Sequence, residues 1–180
     1  INTSEELYIK IDEYTNSYDQ IFIITQENII KTKIANPLSS KYNIYLCKDA
    51  EECKSLEEYQ KIVKYLANHK CNKNSLLIGL GGGTITDLCG FVASTYMRGI
   101  SFINIPTTLL GMVDASIGGK TALNIEGKRN LIGTFREPSG LILYTQFLNS
   151  LSKKQLRDGY AEILKYALIM DKKLFQTIEN

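Results

Sequence analysis

The stretch SLLIGLGGGTITD, residues 75–87, decides the fold. Its first six residues are a short apolar run of the length of a buried strand. Gly81, Gly82 and Gly83 follow, and Thr84 to Asp87 open a helical pattern. Glycines let a backbone approach a ligand with no Cβ in the way. Free N–H groups at a helix start, together with the helix dipole, attract phosphate oxygens. One glycine suffices for a turn, so three in a row point to a ligand. In open α/β sheets such a turn lies at the carboxyl end of a strand, where ligands sit. The spacing is not G-x-G-x-x-G, which sets the chain apart from ordinary dinucleotide-binding folds. Asp87, placed in the first helical turn, is also explained by the dipole alone.

Outward from this stretch, residues 20–25 (QIFIIT), 42–47 (YNIYLC), 101–105 (SFINI) and 141–144 (LILY) read as further strands. Ser55 and Glu58 have capping-box spacing and open a helix with Leu56, Tyr59, Ile62, Val63 and Leu66 on one face. Strands separated by helices predict an α/β fold: a Rossmann-like, open, mostly parallel sheet with helices on both faces. After about residue 150 the pattern changes. Ser152 and Gln155 form a second capping box, and Leu156, Tyr160, Ile163, Leu164, Ala167 and Leu168 make a long apolar stripe with no strand after it. We read residues 1–150 as the α/β domain and 151–180 as the first helix of an all-helical C-terminal domain. The chain starts without Met and ends without a helix stop signal, so it reads as a fragment.

Composition narrows the function. With 44% hydrophobic and 22% charged residues, the chain is a folded globular protein. A net charge of +2 removes the electrostatic argument for nucleic acid. No apolar run approaches the ~20 residues of a membrane span, and the first residues are no signal peptide. Cys47, Cys53, Cys71 and Cys89 form no CxxC pair, which suits buried, reduced thiols of a cytoplasmic protein. The single histidine, His69, near a helix end, excludes a site that needs two histidines from this chain.

Further motifs cluster after the fourth strand. In IPTTLL, residues 105–110, proline ends the strand, and Thr107 and Thr108 offer more hydroxyls than one N-cap needs. In VDASIGGKTALN, residues 113–124, an acid, two glycines and a lysine lie within seven residues. Gly118-Gly119-Lys120-Thr121 ends like a P-loop but lacks its upstream glycine at Ala115, and Lys120 still suits a phosphate. Asp114 could orient a hydroxyl. Arg98 follows the glycine-initiated helix, where an arginine suits the C-terminal dipole. Lys128, Arg129 and Asn130 read alone as a solvated basic loop. Glu162 and Lys165 share a helix face, and by spacing alone they are a surface ion pair of little value.

The run GLGGGTITDLCGFVASTYMRGISFINIPTTLLGMVDASIGGKTALN (79–124), followed by NLIG (130–133) and GYAEILKYALI (159–169), resembles the 3-dehydroquinate synthase family. The STYMRG segment is most similar to the version in fungal multifunctional shikimate-pathway enzymes. The resemblance implies conversion of 3-deoxy-D-arabino-heptulosonate 7-phosphate to 3-dehydroquinate and phosphate, with NAD and zinc as cofactors. It implies NAD contacts at Gly82, Gly83, Thr84 and Asp87, at Thr107, Thr108 and Leu110, at Glu51 and Lys54, and at Arg129, Phe147, Ser150 and Leu151. Asp114 would serve both cofactor and substrate. Lys120 and Asn130 would hold the substrate phosphate, and Lys165 would contact substrate. Glu162 would be the one carboxylate ligand of the metal. Arg98 would reach a neighbouring subunit's site, which implies a homodimer. The partner implied is a phosphorylated sugar acid, with neither nucleic acid nor membrane.

Several positions depart from the family pattern. Arg129 stands in place of a lysine, Lys128 of a glycine and Ala115 of a serine, while Gln26 stands where an acid or amide near the adenosine ribose is usual. The family's two zinc-binding histidines would fall after Asn180, so the isolated chain is expected to be inactive. Other readings are a related sugar-phosphate cyclase, a glycerol-1-phosphate or iron-type alcohol dehydrogenase, against which the VDASIGGKTALN segment speaks, and a non-catalytic nucleotide-binding module.

Overall fold

The structure is a computed structural model that describes residues 1–48 and 50–179. Its α/β part runs α1 (Ser4–Thr15), β1 (Gln20–Gln26), α2 (Glu27–Ile30), β2 (Asn43–Cys47), α3 (Leu56–Asn68), β3 (Ser75–Gly81), α4 (Gly83–Thr95) and β4 (Ser101–Pro106). A hairpin follows, β5 (Lys120–Ile125) and β6 (Lys128–Phe135), then β7 (Gly140–Leu141), α5 (Lys153–Met170) and α6 (Lys172–Glu179).

Five strands form one sheet in the order β2-β1-β3-β4-β7, every pair parallel. Successive side chains of a strand point to opposite faces, and this sorts the core in two. Phe22, Ile24, Leu77 and Phe102 pack with Ile62 and Leu66 of α3 and with Leu88 and Val92 of α4. Ile23, Ile78, Ile103 and Ile105 pack on the other face with Leu7 and Ile11 of α1 and with Phe147. Every residue of β3 is buried, as a central strand covered on both faces requires. Burying each such Ile, Leu or Phe contributes roughly 1.5–3 kcal/mol before entropy is counted.

Expected and observed elements differ in five places. The LILY strand is only Gly140–Leu141: Ile142 still donates its N–H to Asn104 O, but the chain then turns in to bury Ile142, Tyr144 and Phe147. The capping box at Ser55 is half made. Ser55 Oγ accepts from Glu58 N at 3.2 Å, while the buried Glu58 carboxylate accepts instead from the Tyr45 hydroxyl at 3.1 Å. The box at Ser152 and Gln155 is complete. Asp87 sits one turn further into α4 than expected, because the helix starts at Gly83. Residues 128–130 are no loop but the start of β6, which pairs antiparallel with β5 through a two-residue turn at Glu126 and Gly127, both at positive φ. Helix α1, which the sequence reading did not foresee, starts at a capping box between Thr3 and Glu6.

Candidate active site

The chain passes from β1 outward to β2, then returns to place β3 on the other side of β1. This reversal opens a crevice at the carboxyl ends of β1 and β3, the ligand position of open α/β sheets. Gln26 ends β1 there, and the glycine turn follows β3. None of the three glycines has a positive φ. They are needed for closeness. A Cβ on Gly81 would meet Ile85 Cγ1 at 2.7 Å, one on Gly82 would meet Thr108 Cγ2 at 3.1 Å, and one on Gly83 would meet Ala115 Cβ at 2.9 Å. The turn is pressed against residues 107–115, and the first amides of α4, which lack intrahelical acceptors by geometry, face the crevice end.

Pro106 closes β4, and Thr107 N donates to Gly81 O at 2.9 Å, stitching the two strand ends together. Thr108 Oγ1 accepts from Gly111 N at 3.1 Å and turns the chain into a π-helical segment, Gly111–Ala115. That segment carries Asp114, whose Oδ1 accepts from the Tyr166 hydroxyl of α5 at 2.6 Å. This bond, with some desolvation, raises the Tyr166 pKa and keeps the phenol protonated. Leu109 and Leu110 abut α5 at Gly159, where a Cβ would lie 2.6 Å from both Leu109 Cγ and the Leu110 amide nitrogen. Helix α5 is thereby seated on the site.

Asp87, Asp114, Lys120, Asn130, Thr134 and Phe135 line one cleft of about 500 Å³. Lys54, which lines a neighbouring hollow, ties two of these residues together. Its ammonium, on a side chain only 4% exposed, donates to Asp87 Oδ2 and to Asn130 Oδ1, both at 2.5 Å. A buried ammonium is tolerable only when paired in this way. Burial pushes the Asp87 carboxyl above its ordinary value, with Glu51 and Asp114 adding to the rise, and the bond to Lys54 offsets only part of it. Glu51 shifts the opposite way. Burial would raise it, but hydrogen bonds from Asn124 and Thr84 and the charges of Lys54 and Arg129 leave it below the ordinary range. On the far side of Lys54, a second hollow of about 400 Å³ is lined by Glu51, Asn124 and Arg129 among others.

Other expected residues lie apart. Arg98 closes a short 3-10 turn, Tyr96–Arg98, that follows α4, beyond the opposite end of that helix from Gly83 and hence about 20 Å away at 1.5 Å per residue. Met97 and Arg98 both have positive φ, 49° and 63°, a strained pair that turns the chain into Gly99. Phe147 is buried in the core, Ser150 donates to Phe147 O at 2.8 Å, and both line a separate hollow with Thr32 and Tyr144. Leu151 follows at the cap of that turn. Glu162 and Lys165 pair on α5, and Lys165 Nζ lies 4.8 Å from the Tyr166 ring centre, so they adjoin Asp114 through Tyr166. Among the described residues no group of three or more His, Cys, Asp and Glu could hold a metal, so Glu162 stands as a single potential ligand.

Two residues escaped the sequence reading. Tyr166 is the i+4 neighbour of Glu162 on the helix and was the signal available for it. Asn124 closes the VDASIGGKTALN motif; it reaches Glu51 across 73 residues and Asn130 across its own hairpin.

The 3-dehydroquinate synthase N-terminal family matches residues 44–158. The chain belongs to the 3-dehydroquinate synthase family. The 3-dehydroquinate synthase of Clostridium tetani is 42% identical over 182 residues, an alignment that takes in 98% of this chain and 48% of that protein. The chain spans about half the length of the curated relatives it matches. Among solved structures, 2-epi-5-epi-valiolone synthase from Streptomyces hygroscopicus, with NAD+ and Zn2+ bound, is 30% identical at a TM-score of 0.85, over 99% of this chain and 51% of that one. A 2-deoxy-scyllo-inosose synthase complexed with carbaglucose-6-phosphate, NAD+ and Co2+ shares the fold at a TM-score of 0.80 and 23% identity, over 91% of this chain and 46% of that one. No helix among the described residues is long and apolar enough to cross a membrane.

Proposed function

We propose that this chain is the NAD-binding half of a 3-dehydroquinate synthase, which converts 3-deoxy-D-arabino-heptulosonate 7-phosphate to 3-dehydroquinate and phosphate. The observation that carries the reading is the single cleft in which Asp87, Asp114, Lys120 and Asn130, drawn from three separate stretches of sequence, meet beside the glycine turn.

The residues present fit NAD. The α4 amides at Gly83 and Thr84 suit its pyrophosphate. Glu51, held ionised by Asn124 and Thr84, suits a ribose hydroxyl. Thr107, Thr108 and Leu110, which follow β4 beside the glycine turn, and Lys54 and Arg129, which line the adjoining hollow, would add further contacts, whereas Phe147, Ser150 and Leu151 would have to act from the separate hollow behind. When bound, NAD would supply a reversible hydride acceptor for the carbinol carbon of a substrate alcohol, whose hydroxyl gives up a proton. Lys120 and Asn130 hold the phosphate by charge and amide contact. Asp114, with one oxygen taken by Tyr166, keeps the other for a substrate hydroxyl. Lys165 adds a cation at the mouth. Glu162 would supply one carboxylate to a divalent metal that polarises substrate oxygens, with the other ligands outside the described residues.

Residues 1–150 would then be the cofactor domain and 151–180 the start of a helical one, whose expected single helix is broken at Asp171 into α5 and α6. Arg98, far from this cleft in its strained turn, would serve a second subunit of a homodimer. Four buried free thiols support a cytoplasmic setting. A second reading, another sugar-phosphate cyclase, is favoured by the 30% identity to the valiolone synthase. The test is phosphate release by the full-length protein with NAD, a divalent metal and the heptulosonate phosphate. Turnover on that substrate is expected, with none from the 180-residue chain alone. Turnover only on a different sugar phosphate would overturn the reading in favour of the second.

A further inference from the structure

We propose that Asn124 is a positioning residue that couples the NAD crevice to the phosphate grip. The inference rests on the roles assigned above to Glu51 and Asn130.

Both ends of the Asn124 amide are committed, in opposite senses. Its Nδ2 donates to Glu51 Oε1 at 2.8 Å, and its Oδ1 accepts from the Asn130 backbone N–H at 2.9 Å. The other Glu51 oxygen accepts from Thr84 Oγ1 at 2.8 Å, at the start of α4. Asn130 itself is in the left-handed region at φ 54°, a conformation that needs local support outside glycine. The backbone N–H of Asn124 donates to Lys54 O at 2.7 Å, and the Lys54 ammonium reaches the Asn130 side chain. The register of the hairpin breaks between Leu123 and Ile125, so Asn124 sits at an irregularity that re-aims it out of the ladder.

This is a closed circuit: Thr84 to Glu51 to Asn124 to Asn130 to Lys54 and back to the Asn124 backbone. Only a side chain with a donor on one end and an acceptor on the other completes it. Aspartate would set a carboxylate against Glu51, and alanine would open both links. The hairpin that carries Lys120 and Asn130 is otherwise exposed along most of β6. Asn124 is therefore where fixing Glu51 against NAD also fixes Asn130 against phosphate. Binding coupling is reciprocal, so each ligand should tighten the other equally.

The test measures NAD affinity of the full-length protein by calorimetry, with and without saturating inorganic phosphate. Phosphate should tighten NAD about fivefold in the unaltered protein, and below about twofold in Asn124→Ala. Asn124→Asp should lose the tightening too. The double variant Glu51→Gln with Asn124→Asp restores a donor–acceptor pair and should regain it. The ratio with and without phosphate is read, so a direct loss of NAD affinity from Glu51→Gln cancels. If Asn124→Ala shows no cooperative thermal transition, the aspartate variant and its swap carry the test. Tightening that survives in Asn124→Ala, or that the swap does not restore, overturns the proposal. Independent binding of NAD and phosphate by the unaltered protein overturns the coupling and leaves the proposed function standing, whereas absence of NAD binding removes that function itself.

Discussion

Strand β3 and the apolar stripe of helix α5 meet burial differently. Each residue of β3 lies between two packed layers. Helix α5 is as well capped as any in the molecule, yet buries only Gly159 and Ala167, and leaves Leu168, Ile169 and Met170 at 65%, 72% and 78% exposed. The sheet's core is buried between its own two layers. The helical tail is joined to it at a seam, where Gly159 meets Leu110 and Tyr166 meets Asp114. The catalytic residues proposed here lie along that seam and along the hairpin, which places chemistry where the self-sufficient core stops.

The largest test of this contrast is core truncation. Leu77→Ala should cost about 2–5 kcal/mol in denaturant unfolding. Leu168→Ala in the same 180-residue chain should stay within about 0.5 kcal/mol. A large effect at Leu168 would show that the tail is packed after all. Next comes the seam itself: Gly159→Ala drives a Cβ into the Leu110 backbone, which cannot swing aside, and should cost about 1–3 kcal/mol. It should also shift the Tyr166 fluorescence or titration, because the Asp114 contact depends on the same approach.

The smallest effect is in pH dependence, where two carboxyls of one network have opposite signs. Glu51 is held below its ordinary value, so its contribution is present above that range and lost as pH falls through the depressed value. Glu51→Gln should therefore remove stability at neutral pH and little in acid. Asp87 is held above its ordinary value, so its contribution is present in acid and lost as pH rises through the raised value. Thermal melts against pH for Glu51→Gln and Asp87→Asn should slope apart, and parallel slopes would contradict the network's polarity.

The sheet was legible because its strands are nearly continuous apolar runs: QIFIIT and SLLIGL need both faces covered. The glycine turn and the Ser152 cap were legible because their chemistry is local. The hairpin was not. Its β6 strand is mostly exposed, so no hydrophobic alternation marked it, and the one available sign was the two-residue Glu126-Gly127 turn. The early end of β7 is also non-local, since burial of Tyr144 and Phe147 pulls an apolar run out of the ladder. Site residues inside motifs were named from sequence, but what joins them was not. The placement of Lys54 between Asp87 and Asn130 spans sequence separations of 33 and 76 residues, which no spacing rule reaches.

One cleft would serve a phosphate at Lys120 and Asn130 beside a separately held NAD. Titration of full-length Lys120→Ala tests it directly. Affinity for the phosphorylated sugar acid should fall by about tenfold or more, the loss of one charge-assisted contact, with NAD affinity nearly unchanged. Equal weakening of both ligands, or of neither, would contradict the assignment.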